Sequence, residues 1–107
     1  MIAALAIAAA TPPASYRALG TEPFWNVAIA GRRARIGEPG RRDMVVAVGH
    51  PERRPRGWHW RSRALTITTE RAACSDGMSD RVYPDRVTIV WRGRRLEGCG
   101  GHPPPRR

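Results

Sequence analysis

Apolar and polar residues alternate along much of the chain, and glycine, proline and arginine break the alternation every few residues. In Phe24–Ala30, Trp25, Val27 and Ile29 fall on one face, the pattern of a half-buried strand. Gly31-Arg32-Arg33 then turns the chain, and Ala34-Arg35-Ile36 starts the return. Residues 86–99 give the strongest hairpin signal: Val87, Ile89 and Trp91 alternate, Arg92-Gly93-Arg94 turns, and Leu96 begins the partner strand. Residues 44–49 are apolar throughout up to their closing glycine, which predicts a strand buried on both faces or lying under another layer. Residues 50–57, with two prolines, a glycine and clustered arginines, read as a loop. Residues 58–70 carry two incompatible phases, because Trp58 and Trp60 share one parity while Leu65 and Ile67 share the other. Either a bulge between Arg61 and Arg63 shifts the register or the tryptophans face outward.

No helical period is sustained and no segment repeats. The pattern therefore predicts a mainly β fold, a small antiparallel meander or barrel-like domain with at most a short helix. Composition agrees. At 107 residues the chain fits one small domain, and 11 glycines and 10 prolines make it rich in turns. The expected organisation is a signal segment over 1–10, a leader over 11–17, one β-rich domain over 18–101, and a disordered tail over 102–107.

The charge is one-sided. All 19 basic residues are arginine, against 9 acidic residues, for a net charge of +10. A coding bias toward Arg, Ala, Gly and Pro accounts for this composition. So does an anionic partner such as an acidic envelope polymer or lipid headgroups, because the guanidinium fork binds phosphate and carboxylate bidentately. Residues 53–63 interleave arginine with Trp58 and Trp60, as single-strand nucleic-acid binders do. Export would separate the chain from nucleic acid, which is then not expected as a physiological partner.

Residues 1–10 form an apolar run ending in Ala8-Ala9-Ala10, the pattern of a secretory signal with a small-residue cleavage site. The run is too short for a spanning helix. It lacks the basic start of a signal, as a late-placed start codon would produce, and no cysteine stands near the site to take a lipid. In an exported chain, the two cysteines, Cys74 and Cys99, are most simply a disulfide. Closing that loop gives about 3.5 kcal/mol in the chain-entropy model.

Chemistry concentrates in residues 74–84, which hold Cys74, Ser75, Asp76, Ser79, Asp80, Arg81 and Tyr83. A catalytic Cys74 would need a nearby base and an accessible electropositive setting, and Cys99 is the simpler partner. Asp76 and Asp80 offer carboxylates to a hard cation but lack the spacing of a calcium loop; Asp76-Gly77 also reads as a turn whose carboxylates bond local N–H groups or Arg81. His50, His59 and His102 show no metal-ligand spacing, and the glycine-rich nucleotide loops, the G-x-S-x-G elbow and the H-E-x-x-H pair are missing from the sequence. No cofactor is expected.

Two stretches, "ALGTEPFWNVAI" at 18–29 and "CSDGMSDRVYPDRVTIVWRGRRLEGC" at 74–99, resemble a family of small, mostly uncharacterised bacterial envelope proteins, lipoproteins and membrane proteins among them. The resemblance implies a periplasmic or outer-envelope domain and carries no established activity. The closing "RGRRLEGC" is also similar, over a short span, to small β-barrel inhibitors of c-type lysozyme, although +10 is the wrong charge for meeting a basic enzyme. Together these features predict a non-enzymatic envelope module, with Glu22 and Trp25 packed beside a rigid 74–84 loop that binds a ligand or protein partner. The alternatives are a metal-dependent or hydrolytic module using Asp76 and Asp80, and an anion-binding or lysozyme-inhibitor-like module.

Overall fold

The computed structural model describes residues 11–78 and 80–102. The expected signal segment, Ser79 and residues 103–107 of the expected tail lie outside them. Nine strands and no helix are found among the described residues: β1 (Ser15–Thr21), β2 (Phe24–Ala30), β3 (Arg33–Gly37), β4 (Met44–Ala47), β5 (Glu52–Arg54), β6 (Gly57–Arg61), β7 (Leu65–Ser75), β8 (Val82–Trp91) and β9 (Arg94–Gly100). They form one antiparallel sheet in the order β4-β3-β2-β1-β9-β8-β7-β6-β5. The expected fold class is the observed one. β1 begins within the stretch read as a leader, with Ser15, Tyr16 and Arg17 paired to Ala30, Ile29 and Ala28.

The sheet curls into a half-barrel, and the chain path shows how its edges meet. Because every neighbour is antiparallel, β4 and β5 run in the same direction, yet they occupy opposite edges and only residues 48–51 join them. A linker that short spans at most about 17 Å. Val48 N–H donates to Arg32 O on the β3 side at 2.9 Å, and Gly49 N–H donates to Arg61 O on β6 at 2.9 Å. Residues 44–54 are thus one extended path that pairs first with β3 and then with β6.

Alternation then fills the interior from every side. Trp25, Val27 and Ile29 of β2, Ala34 and Ile36 of β3, Trp60 of β6, Leu65 and Ile67 of β7, and Val87, Ile89 and Trp91 of β8 pack into one buried cluster. The β8–β9 turn is Arg92-Gly93, with φ of 52° and 79°, the paired left-handed residues of a tight hairpin.

Three sequence expectations change. Residues 44–49 are not buried on both faces: β4 is an edge strand, Val45 is 53% exposed, and only Val46 and Val48 reach inward. Among the described residues, no second layer covers the outer side of β4. Residues 50–57 are not simply a loop, since Glu52–Arg54 pairs with β6 around a Pro55-Arg56 turn. The phase conflict in 58–70 arises because the segment is two strands. A turn at Ser62-Arg63-Ala64 resets the parity and sets Trp60 opposite Ile67, both fully buried.

Candidate functional site

The 74–84 segment is the end of the β7–β8 hairpin, with Ser75 paired to Val82 and Cys74 to Tyr83. The connecting tip is therefore residues 76–81, shorter than the loop expected from sequence. Between Arg71 and Cys74 the register shifts, a bulge at Ala72-Ala73 opposite Pro84. Proline cannot donate to a ladder, and a bulge is where a strand tolerates it.

The bulge bends the hairpin end across the outer face of the sheet. β7 and β9 are separated by β8, so flat strands would stand about 9.5 Å apart. Yet the Cα atoms of Cys74 and Cys99 are 5.5 Å apart, and the two cysteines form the expected disulfide. A second tie comes from the β1–β2 turn, where Glu22-Pro23 has a cis peptide bond and Thr21 Oγ1 donates to Asp76 O at 3.0 Å. Thr21, which makes this bond, precedes the expected 22–25 segment, of which Glu22 lines the same groove as Cys74, Ser75 and Asp76.

A groove of about 510 Å³ lies under the bent hairpin. Its floor is the outer face of β7, β8 and β9 at Thr68, Thr88 and Glu97, and the disulfide closes one side. Glu22, Glu70, Asp76 and Glu97 line it against Arg86 and Arg95. In a chain of net charge +10 the groove inverts the local sign. Glu97 lies 3.5 Å from Arg95, an exposed pair with little energetic weight.

The residues singled out from sequence divide by position. Glu22 and Asp76 line the groove. Asp76 Oδ1 accepts the Met78 N–H at 2.9 Å, and Gly77 takes a φ of 76°, so Asp76-Gly77 is the turn its sequence suggested. Asp80 and Arg81 are exposed on the tip. Trp25 and Tyr83 are buried and do not line the groove. A Cβ at Gly20 would fall 2.0 Å from Trp25 Nε1, and one at Gly98 would fall 2.8 Å from Trp25 Cζ2. The "GTEPFW" and "EGC" motifs are thus one packing unit, two glycines making room for an indole. Among the described residues, no three His, Cys, Asp or Glu side chains gather to hold a metal.

Comparison with family models, with curated proteins and with solved structures finds no match to this chain. Function has to come from the geometry.

Sequence reasoning missed Glu70, Arg86 and Glu97, which stand on neighbouring strands only because Glu70 pairs with Arg86 and Thr88 with Glu97. It also missed Tyr16, whose hydroxyl donates to Asp85 Oδ2 at 2.7 Å. Burial, followed by the Asp85 hydrogen bond and charge, holds the Tyr16 hydroxyl well above the usual phenol range. His59, whose Nδ1 lies 2.7 Å from Thr68 Oγ1, is shifted below the usual imidazole range, first by burial and then by Arg54.

Proposed function

We propose that this chain is an exported, non-enzymatic binding module of the bacterial cell envelope, and that its outer-face groove receives a cation-bearing ligand or a basic segment of a partner protein. One observation carries the reading: four carboxylates against two guanidinium groups line a groove in a chain of strongly positive net charge. Complementary potential of this kind gives orientation and specificity. The groove is walled by a disulfide and a hydrogen-bonded turn, so a ligand would meet a surface already in place. A crosslink of this kind suits an oxidising compartment, in keeping with the signal-like residues 1–10 and the envelope-protein resemblance.

Calorimetric titration of the oxidised protein with spermidine and with a short arginine- and lysine-rich peptide tests the assignment. Saturable binding should weaken at least about fivefold in Glu70→Gln/Glu97→Gln, the loss expected from two exposed charge contacts. Binding unchanged in that variant would refute the groove. Turnover in a broad hydrolase screen, abolished by Asp76→Ala or Asp80→Ala, would replace the binding role with an enzymatic one.

A further inference from the structure

At one end of the half-barrel, strand parity brings together residues far apart in sequence. The inward series on β8 runs Trp91, Ile89, Val87 and then Asp85; on β7 it runs Leu65, Ile67, Thr69 and then Arg71. On β6 it runs Trp60 and then Trp58, with Arg53 of β5 paired directly opposite Trp58, and on β1 it runs Ala18 and then Tyr16. A mouth of about 470 Å³ opens among these residues, within the range of small-molecule sites.

The basic rim is held in place by the backbone. Arg71 N–H donates to Arg56 O at 2.7 Å, and Arg56 Nη2 donates to Arg71 O at 2.9 Å. Trp58 N–H donates to Thr69 Oγ1 at 3.0 Å, and Gly57 lies so close to β7 that a Cβ would sit 2.0 Å from Thr69 O. The β5–β6 turn is thus fixed against β7. Of the four arginines lining the mouth, Arg54 lies 3.8 Å from Glu52, whereas Arg53, Arg56 and Arg71 make no ion pair among the described residues, although Arg71 stands opposite Asp85 in the β7–β8 ladder. The single carboxylate in the mouth, Asp85, already accepts the Tyr16 hydroxyl.

We infer that this mouth binds a phosphomonoester whose organic part rests on Trp58 and Pro55. Three guanidinium groups outside any ion pair match a dianion with three terminal oxygens better than a carboxylate, which offers two oxygens and one charge. The half-buried Trp58 indole supplies an apolar surface beside the charge, the combination by which ligand sites orient an amphiphilic molecule. The ligand can be a soluble phosphate ester or a lipid with a terminal phosphate headgroup. This site is on the opposite face of the sheet from the carboxylate groove, and neither depends on the other.

Tryptophan fluorescence with phenyl phosphate, benzoate, inorganic phosphate, and vesicles with or without phosphatidic acid tests the inference. Phenyl phosphate should bind saturably and more tightly than benzoate or inorganic phosphate, and Arg53→Gln/Arg71→Gln should weaken it at least about tenfold. Phosphatidic-acid vesicles binding where phenyl phosphate does not, with the same loss in that variant, would assign the site to a lipid phosphate. The control Arg42→Gln/Arg63→Gln, two exposed arginines at the Leu65–Trp91 end of the sheet and outside the mouth, removes equal charge and should leave affinity within about twofold, as for screened surface charges. Arg53→Gln alone, which breaks no described hydrogen bond, should still weaken binding and serves if the double variant unfolds. Equal losses in the mouth and control variants, benzoate binding as tightly as phenyl phosphate, or no binding by any probe would overturn it.

Discussion

Removing the Cys74–Cys99 crosslink, by Cys74→Ala/Cys99→Ala or by reduction, should cost this domain a large share of its stability. The two cysteines are 25 positions apart, and the loop-closure entropy of that separation is about 3.5 kcal/mol. For a domain of this size each kcal/mol moves the melting midpoint by roughly 4–8 °C, so a fall of roughly 14–28 °C is expected. The loss should also have a location. The disulfide and the Thr21–Asp76 bond tie the bent hairpin end to the outer face beyond its own pairing. Amide hydrogen exchange should therefore rise first at residues 75–83, while Ile67, Ile89 and Trp60 keep their protection. Guanidinium denaturation with and without reductant gives the magnitude, and exchange followed by mass spectrometry gives the location. A stability loss below about 1 kcal/mol, against the chain-entropy expectation, or exchange that rises evenly through the core, would refute the reasoning.

Tyr16→Phe should destabilise the fold by about 1–3 kcal/mol by leaving the Asp85 carboxylate without its donor, measured by chemical denaturation. Because the Tyr16 pKa is raised, the stability it contributes is full below the ordinary phenol pKa near 10 and is lost as pH climbs beyond it; ultraviolet titration of a Tyr83→Phe variant should show Tyr16 still protonated above pH 10. His59 is shifted the other way. The unfolded chain takes up its proton first, so stability should decline as pH falls below about 6.5, and a titration midpoint at or above that value in proton NMR would contradict the shift. Gly57→Ala must push β6 off Thr69 O and should cost about 1–3 kcal/mol through overpacking. Gly93→Ala has open space but a φ of 79°, so its cost, about 1–2 kcal/mol, should come from the backbone alone.

What the sequence disclosed followed from where period two was uninterrupted. Val87-Ile89-Trp91 and Trp25-Val27-Ile29 gave their strands and inward faces because one side of each is buried and the other wet. The disulfide was legible because two cysteines leave one pairing. Residues 44–49 misled because a run of apolar side chains carries no information on whether a second layer exists. The reset between Trp60 and Leu65 was hidden because Ser62-Arg63-Ala64 contains neither glycine nor proline. The groove and the mouth were invisible for a common reason: each gathers side chains from strands whose adjacency depends on register and closure. Glu22 and Asp76 were found through their motifs, whereas Arg53, Arg71, Asp85 and Tyr16 meet only once β1 has paired with β9.

That β1–β9 pairing has a kinetic consequence. Ala18 lies opposite Gly100, and Gly101 N–H reaches Arg17 O at 3.0 Å, so the two ends of the domain are neighbours in space. Of the eight strand pairings in the sheet, β1–β9 is the only one that is not a hairpin between consecutive strands. A circular permutant joined from His102 to Thr11 by a short linker and opened between Gly49 and Glu52 would read β5 through β9, then β1 through β4. Every strand pairing would then be local, and the Gly49 N–H bond to Arg61 O would become the one long-range closure. Folding rate follows contact order, so this rearranged chain should fold faster than the natural one while keeping the same sheet.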